Sequence, residues 1–344
     1  MDELKYRCLK CGEGLFNKYS TLWICRNCKT VYMCFNGMPK LYLESQIGEK
    51  DKSLRDYFYN GVLGRFYQFL MPFLTLPARP IKISKKDWLI YFLVIVLFLL
   101  LVHNCISLFF NFGYFSFGYV NLLSLLFLIM IISFLIKHPY FFYLLLLAIP
   151  VKISLTRKKY KAKIGFKNLH EEIIQDFLSR KKTLQILDIS TGTGNSLLRH
   201  GWKRVDAEFT GLDLSETMLA QCQTFMANEK IPINLVLGDA TDLPFKDNYF
   251  DIVLNYGAIN GYSNIKKAIE EMIRVVKGGG TILFLDEQLY PSASSVEKFY
   301  FKKVLSSHNI IHSCPVDLIP DNIGTIDVYQ VYEFYYICTI KVIK

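Results

Sequence analysis

Residues 88–136 contain no Asp, Glu, Lys or Arg. Forty-nine consecutive uncharged residues, most of them aliphatic or aromatic, exceed what a helix buried in a globular core needs. The stretch reads as a transmembrane helical hairpin. Residues 88–110 would form a helix about 34 Å long and residues 119–136 one of about 27 Å, against a hydrocarbon layer of about 30 Å. Between them NFGYFSFG, residues 111–118, supplies an uncharged turn with two glycines. Arg79, Lys82, Lys85 and Lys86 precede the hairpin, and Lys137, Lys152, Arg157, Lys158, Lys159, Lys161, Lys163 and Lys167 follow it. The positive-inside rule then predicts an integral membrane protein with two spans, both soluble parts cytoplasmic and the basic flanks on anionic headgroups. Residues 139–151 are apolar but reach only about 20 Å as a helix, which suits an interfacial segment.

The net charge of +10 is unevenly placed. Residues 1–182 hold 26 Lys/Arg against 11 Asp/Glu, while residues 183–344 hold 14 against 19. The acidic back half argues against a nucleic-acid groove there. Four regions follow from these patterns: residues 1–50, rich in cysteine; 51–87, helical and then broken by Pro72, Pro77 and Pro80; 88–151, the apolar block; and 165–344, where strand-like and helix-like segments alternate as in an α/β domain.

In the first region the spacing is Cys8-x2-Cys11 and Cys25-x2-Cys28. Each pair can present two thiolates to one ion, and two pairs complete a tetrahedral set with no open position, the arrangement of a structural Zn2+. Redox pairs or disulfides are the alternatives. A cytoplasmic location disfavours disulfides, and neither pair sits in a βαβ setting. Cys34 is a fifth candidate that also reads as a half-buried strand cysteine. The segment through Asn36-Gly37-Met38-Pro39 resembles the small zinc ribbons that accompany methyltransferases.

In the last region the apolar run 184–189 reads as a buried strand, followed by Ser190-Thr191-Gly192-Thr193-Gly194 and a helix from Ser196. Glycines there permit a sharp turn and close approach of backbone to a ligand. Asp188, on the strand before the loop, does not suit the pyrophosphate of a dinucleotide but suits a ligand with an amino group. Asp213 ends a second strand, where a carboxylate can accept from ribose hydroxyls. Asp239 and Ala240 end a third apolar run.

Together LDISTGTG, GLDLSETML, GDATDLPFKDNYFDIV and RVVKGGG, in that order, resemble the class I S-adenosylmethionine (SAM)-dependent methyltransferases, notably the ubiquinone and menaquinone biosynthesis branch. Ser190 replaces the first loop glycine of that pattern and Gly278 its usual proline. The resemblance implies a seven-stranded, doubly wound Rossmann-like sheet whose last antiparallel strand lies in residues 332–342. It implies that Asp188 meets the methionine amino group, that Ser190, Gly192 and Gly194 line the methionine, and that Asp213, with Leu214, holds the ribose. It further implies that Asp239 and Ala240 bind the adenine and that Asn255 faces the methyl-transfer side. Residues 54–70 look like the tyrosine-rich helix preceding the core in this family, with the hairpin inserted between that helix and the core.

Methyl transfer from a sulfonium is an in-line displacement that needs positioning and, for an acidic acceptor, a base. Candidates near the acceptor are Tyr256 and Tyr262, with Asn255, Asp286 and Glu287 beside them. The expected acceptor is a lipid or hydrophobic small molecule such as an isoprenoid quinone precursor. Two alternatives stand beside it: an RNA or protein methyltransferase that uses the ribbon for recognition, and a SAM-binding scaffold without catalysis.

Overall fold

Alternating apolar residues near the start of the chain fold into a small antiparallel sheet in the computed structural model, which describes residues 5–18, 21–65, 67, 166–178, 182–289, 293, 295, 298, 313–331 and 335–344. Its strands are β1 (Leu15–Lys18), β2 (Leu22–Cys25), β3 (Val31–Phe35) and β4 (Met38–Pro39), paired in sequence order. Leu15, Trp23, Cys25 and Tyr32 point inward and are buried, while Val31 and Met33 face out. This alternation is what period-two side-chain placement gives when one face of a sheet packs.

The chain then runs through α1 (Glu49–Ser53), a π-helical turn over Leu54–Tyr59 and α2 (Val62–Arg65). The helix expected over residues 54–70 is therefore interrupted. The Asn60 amide bonds back to the Arg55 carbonyl, and Gly61 follows. Buried Arg55 anchors this turn through Glu44 and Asp56.

The second sheet is built from described residues of the back half of the chain. α3 (Phe166–Leu178) precedes β5 (Leu184–Ile189), α4 (Asn195–Arg199), β6 (Ala207–Asp213), α5 (Glu216–Asn228), β7 (Ile233–Leu237), β8 (Phe250–Tyr256), α6 (Ile265–Val275), β9 (Val276–Glu287), β10 (Gly324–Val331) and β11 (Tyr335–Val342). The strand order is β10-β11-β9-β8-β5-β6-β7. β5 to β9 are parallel, and β11 is antiparallel to both its neighbours. This is a Rossmann-like methyltransferase fold with a mixed seven-stranded sheet. The expected strand 184–189 matches β5, and the expected last antiparallel strand matches β11 over its described residues.

Helix starts follow local chemistry. Ser215 caps α5 by accepting from the Met218 amide at 3.1 Å, and Asn264 caps α6 by accepting from Lys267 at 3.0 Å. The sheet buries one apolar layer on each face. One layer contains Leu187, Ile189, Val253, Ile269, Met272 and Phe284, with α6 packed against it. The other contains Ile186, Leu254, Leu219, Met226 and Trp202.

The ribbon joins the first layer. Tyr6, Trp23, Tyr32 and Leu41 share it with Leu243, Phe245 and Phe250. Tyr6 sits edge-on to Trp23 at 4.8 Å and 5.7 Å from Phe245 between ring centroids. Backbone bonds stitch the two sheets together: Arg7 to Pro244 at 3.0 Å, Lys246 to Lys5 at 3.1 Å and Leu41 to Leu237 at 2.8 Å. Arg7 also reaches Asp242, Glu271 and the Leu243 carbonyl. A parallel bridge between Lys40 and Leu237 covers β7, an edge strand that would otherwise present unpaired backbone groups.

The two-span membrane localisation does not stand. Among the described residues no helix is long and apolar enough to cross a membrane. The longest described helices have 13 residues, about 20 Å against the roughly 30 Å required. The expected spans 88–110 and 119–136, and the interfacial segment 139–151, lie outside the described residues. The elements above belong to Met1–Met71 with Lys161–Lys344.

Candidate cofactor site and metal centre

The loop after β5 lies where the strand order reverses: the chain goes from β5 to β6 and β7 on one side and to β8 on the other. Open α/β sheets bind ligands at the carboxyl ends of strands at such a point. Asp188, Ser190, Asp213, Asp239 and Asn255 all sit at that end.

Asp188 is almost fully buried. Its Oδ2 accepts from the Thr191 hydroxyl at 2.6 Å, and its Oδ1 has no hydrogen-bond partner. Burial pushes its carboxyl up to about 7, with the Thr191 bond opposing and the Asp213 charge adding. A buried carboxylate oxygen without a partner is costly, and an amino group would satisfy it. Gly192 (φ 55) has nothing within 4 Å of where a Cβ would stand, so its open side can receive a ligand. Gly194 (φ 77) is different: a Cβ there would meet Met226 Cε at 2.4 Å and Cys222 Sγ at 2.8 Å.

Ser190 holds φ 55, a left-handed conformation that explains why a glycine is usual at this place. The serine adds a contact that glycine lacks, since its Oγ lies 2.7 Å from the Tyr262 hydroxyl. Asn255 Nδ2 donates to the same hydroxyl at 2.6 Å and to the Ile189 carbonyl at 3.1 Å, while Asn255 Oδ1 has no partner.

Asp213 receives the Gly192 amide on Oδ2 and the Ser215 amide on Oδ1, both at 2.9 Å. Burial raises its carboxyl, and these amides with that of Leu214 oppose the rise. Leu214 is half-buried beside it against the second apolar layer. The Gly238 amide donates to the Asp213 carbonyl at 3.0 Å, which brings Asp239 and Ala240 to the same edge. Asp239 Oδ1 accepts from the Thr241 amide and hydroxyl, and burial raises its carboxyl against those bonds.

Tyr256 and Tyr262 part company. Tyr262 packs on the α6 side, against the cofactor loop. Tyr256 packs in the other apolar layer, stacks on His200 at 4.5 Å, and its hydroxyl accepts from Trp202 Nε1 at 2.7 Å. Burial pushes both phenols well up, so neither is prepared to act as a base near neutrality.

Sequence reasoning missed Thr191 and the roof over the site. The hydroxyl of Thr191, within the loop motif, was the available signal. Asn60 Oδ1 accepts from Ser215 Oγ at 2.7 Å and from the Thr217 amide at 3.3 Å, and Gly64 O accepts from Gln221. Tyr59 and Tyr67, 5.9 Å apart, complete that roof. Burial raises both phenols, Tyr67 to about 12, and the Asp213 and Glu287 charges add to both shifts.

Residues 187–284 match the methyltransferase domain family. The chain is similar to the ubiquinone/menaquinone biosynthesis C-methyltransferase UbiE of Neisseria meningitidis serogroup C, at 36% identity over 129 residues, covering 36% of this chain and 52% of that protein. It is 30% identical over 149 residues to the protein of the same name from Dinoroseobacter shibae, covering 43% and 58%. The chain thus spans about half the length of the curated relatives it matches. Among solved structures it resembles Haemonchus contortus phosphoethanolamine N-methyltransferase 2 (17% identity, 52% of this chain, 53% of that chain, TM-score 0.41). Another is the PH0226 protein of Pyrococcus horikoshii OT3 (18%, 50% and 88%, TM-score 0.40). The family match and the relatives support a SAM-dependent methyltransferase, as the motifs implied.

The second candidate centre lies in the ribbon. Sulfurs of Cys8, Cys11, Cys25 and Cys28 all lie within 4.8 Å of one another. Cys8 and Cys28 are 3.5 Å apart, Cys11 and Cys25 3.4 Å. A zinc–sulfur bond of about 2.3 Å sets the sulfurs of a tetrahedron roughly 3.8 Å apart, so the donor set fits Zn2+. No disulfide joins any of the four. Cys34 is not part of the group; it sits half-buried on β3 opposite Pro39.

Proposed function

We propose that this chain transfers a methyl group from S-adenosyl-L-methionine to a small hydrophobic acceptor, of which an isoprenoid quinone precursor is the model. The observation that carries this reading is the bare, buried Oδ1 of Asp188 beside an open glycine loop that is tied by Gly192 to Asp213. Asp188 would hold the amino group, the residue 190–194 loop the methionine, Asp213 and Leu214 the ribose, and Asp239 with Ala240 the adenine. The cofactor supplies an electrophilic methyl group. The protein's part is to orient it and exclude water beneath Tyr59 and Tyr67. A quinone-type acceptor is supported by the named activity of the UbiE relatives.

The four cysteines would hold one Zn2+ in a structural role. Lys5, Arg7 and Lys40 of the ribbon are bonded to Thr210, to Asp242 and Glu271, and to Glu216, which favours bracing the catalytic domain over gripping a polyanion.

Calorimetric titration with S-adenosylhomocysteine tests the cofactor site, and the expected result is one site per chain. Incubation with methyl-labelled cofactor and a lipid extract tests the acceptor. Label in the organic phase is expected, and label confined to RNA or protein would overturn the acceptor class.

A further inference from the structure

Three side chains beside the cofactor loop form a run of hydrogen bonds whose direction is fixed atom by atom. The Ile189 carbonyl can only accept, so the Asn255 atom 3.1 Å from it is the amide nitrogen Nδ2. The same nitrogen donates to the Tyr262 hydroxyl at 2.6 Å. Tyr262 accepts there, and Ser190 Oγ stands 2.7 Å from the same hydroxyl. A phenol that accepted from both neighbours would strand its own proton, which is costly away from water. Tyr262 therefore donates to Ser190, and Ser190 keeps its own proton to donate elsewhere. Among the described residues nothing accepts that proton.

Other donors of the same turn are already spent. The amides of Thr191, Gly192 and Gly194 donate to the Leu212 carbonyl, to Asp213 and to the Thr191 carbonyl, and the Thr191 hydroxyl donates to Asp188. The Ser190 hydroxyl is thus a donor that the turn holds ready for a ligand.

Its position pairs it with Asp188. In the strand register Asp188 stands level with Leu254, which belongs to the second apolar layer, whereas Ser190 is tied to Tyr262 on the α6 side. The two residues reach the carboxyl end of β5 from its two sides. One brings the bare acceptor Oδ1, the other a spare donor. An amino-acid zwitterion, with ammonium and carboxylate on one carbon, matches that pairing, and a hydroxyl gains most when its acceptor is charged.

We propose that the Ser190 hydroxyl donates to the carboxylate of the cofactor's methionine, with Tyr262 and Asn255 as positioning residues that keep it a donor. This rests on the methyltransferase reading and adds a carboxylate contact to it. The family pattern has glycine at this place, so the contact comes from this chain's own substitution. A ligand without the carboxylate would leave the Ser190 proton bare, and the site should reject it accordingly.

The test compares two ligands on the full chain by calorimetry: S-adenosylhomocysteine and its decarboxylated analogue, which keeps the amine. Wild type should bind the intact thioether about tenfold or more tightly than the analogue. Ser190→Gly removes the hydroxyl without backbone strain. It should weaken the intact thioether about tenfold and leave the analogue within about twofold, so that the gap closes. Tyr262→Phe removes the bond that orients the hydroxyl and should narrow the gap about threefold; it decides the matter should Ser190→Gly fold poorly. Equal affinity of wild type for both ligands, equal loss of both in Ser190→Gly, or an unchanged gap in Tyr262→Phe overturns the proposal. Absence of binding of either ligand to wild type overturns the methyltransferase reading itself.

Discussion

The backbone amide of Gly192 donates to Oδ2 of Asp213 at 2.9 Å, so the acid at the end of β6 holds the glycine loop that leaves β5. Asp213 thus holds the loop, in addition to the ribose role proposed for it. Asp213→Ala should weaken S-adenosylhomocysteine binding by about 10–100-fold, since hydrogen bonds to a charged group are worth about 1.5–3 kcal/mol each. Calorimetry reads this directly. Affinity within twofold of wild type would remove Asp213 from the site.

Asp188 makes binding depend on pH. Its carboxyl is raised to about 7 by burial, so in the ligand-free protein it is protonated below that pH. A ligand ammonium favours the charged form. Affinity should therefore be full above pH 7 and decline as pH falls through 7, by up to about tenfold per unit. The raised acid also means that the ligand-free fold loses stability as pH rises from the unfolded value of about 4 through 7. Asp188→Asn should flatten the binding profile between pH 6 and 8 and raise the ligand-free thermal midpoint at pH 8.

Removing the metal should reach beyond the ribbon. Cys8 and Cys25 lie in the same apolar layer as Phe245, Val253 and Phe284. Chelation is expected to release one Zn2+ per chain and to lower the thermal midpoint of the whole Met1–Met71 and Lys161–Lys344 unit in one transition, because metal binding energy is folding energy at such sites. A ribbon that melts alone, with thioether affinity unchanged, would contradict this.

The two loop glycines should respond differently to alanine. Gly194→Ala drives a Cβ into Met226 and Cys222 at a positive φ and should cost about 2–4 kcal/mol of stability. Gly192→Ala meets only open space and should cost about 1 kcal/mol in denaturant unfolding, but its methyl enters the ligand's room and should weaken binding about tenfold or more.

Ser190→Gly relieves about 1 kcal/mol of left-handed strain but gives up the bond to Tyr262. Stability should change by less than about 1 kcal/mol. A loss above about 2 kcal/mol in urea unfolding would show that the hydroxyl matters far more than the backbone.

The strands and the cofactor loop were legible because they are local. The run 184–189 is continuous and apolar, as a strand buried on both faces must be, and the acids that end β5, β6 and β7 follow directly in sequence. The cysteine spacing was legible for the same reason. The contribution of Asn60 was not, since it meets Ser215 across 155 residues and no periodicity announces such a pairing. Tyr256 and Tyr262 looked equivalent by spacing. Only the strand register separates them, because β8 carries Tyr256 into one layer while the turn after it returns Tyr262 to the other. The uncharged stretch shows the opposite difficulty: hydropathy alone predicted two spans, and no described helix meets that length.

The bond between Arg7 and Glu271 closes a loop of 264 residues. The four cysteines of the ribbon are complete as soon as Cys28 is made, but its apolar side has nothing to cover it until Phe245 and α6 arrive much later in synthesis. During that interval Tyr6 and Trp23 remain open to misassociation. Assembly of this protein is therefore gated by its late-made strands, and variants that slow their arrival should appear first as aggregation at the front of the chain.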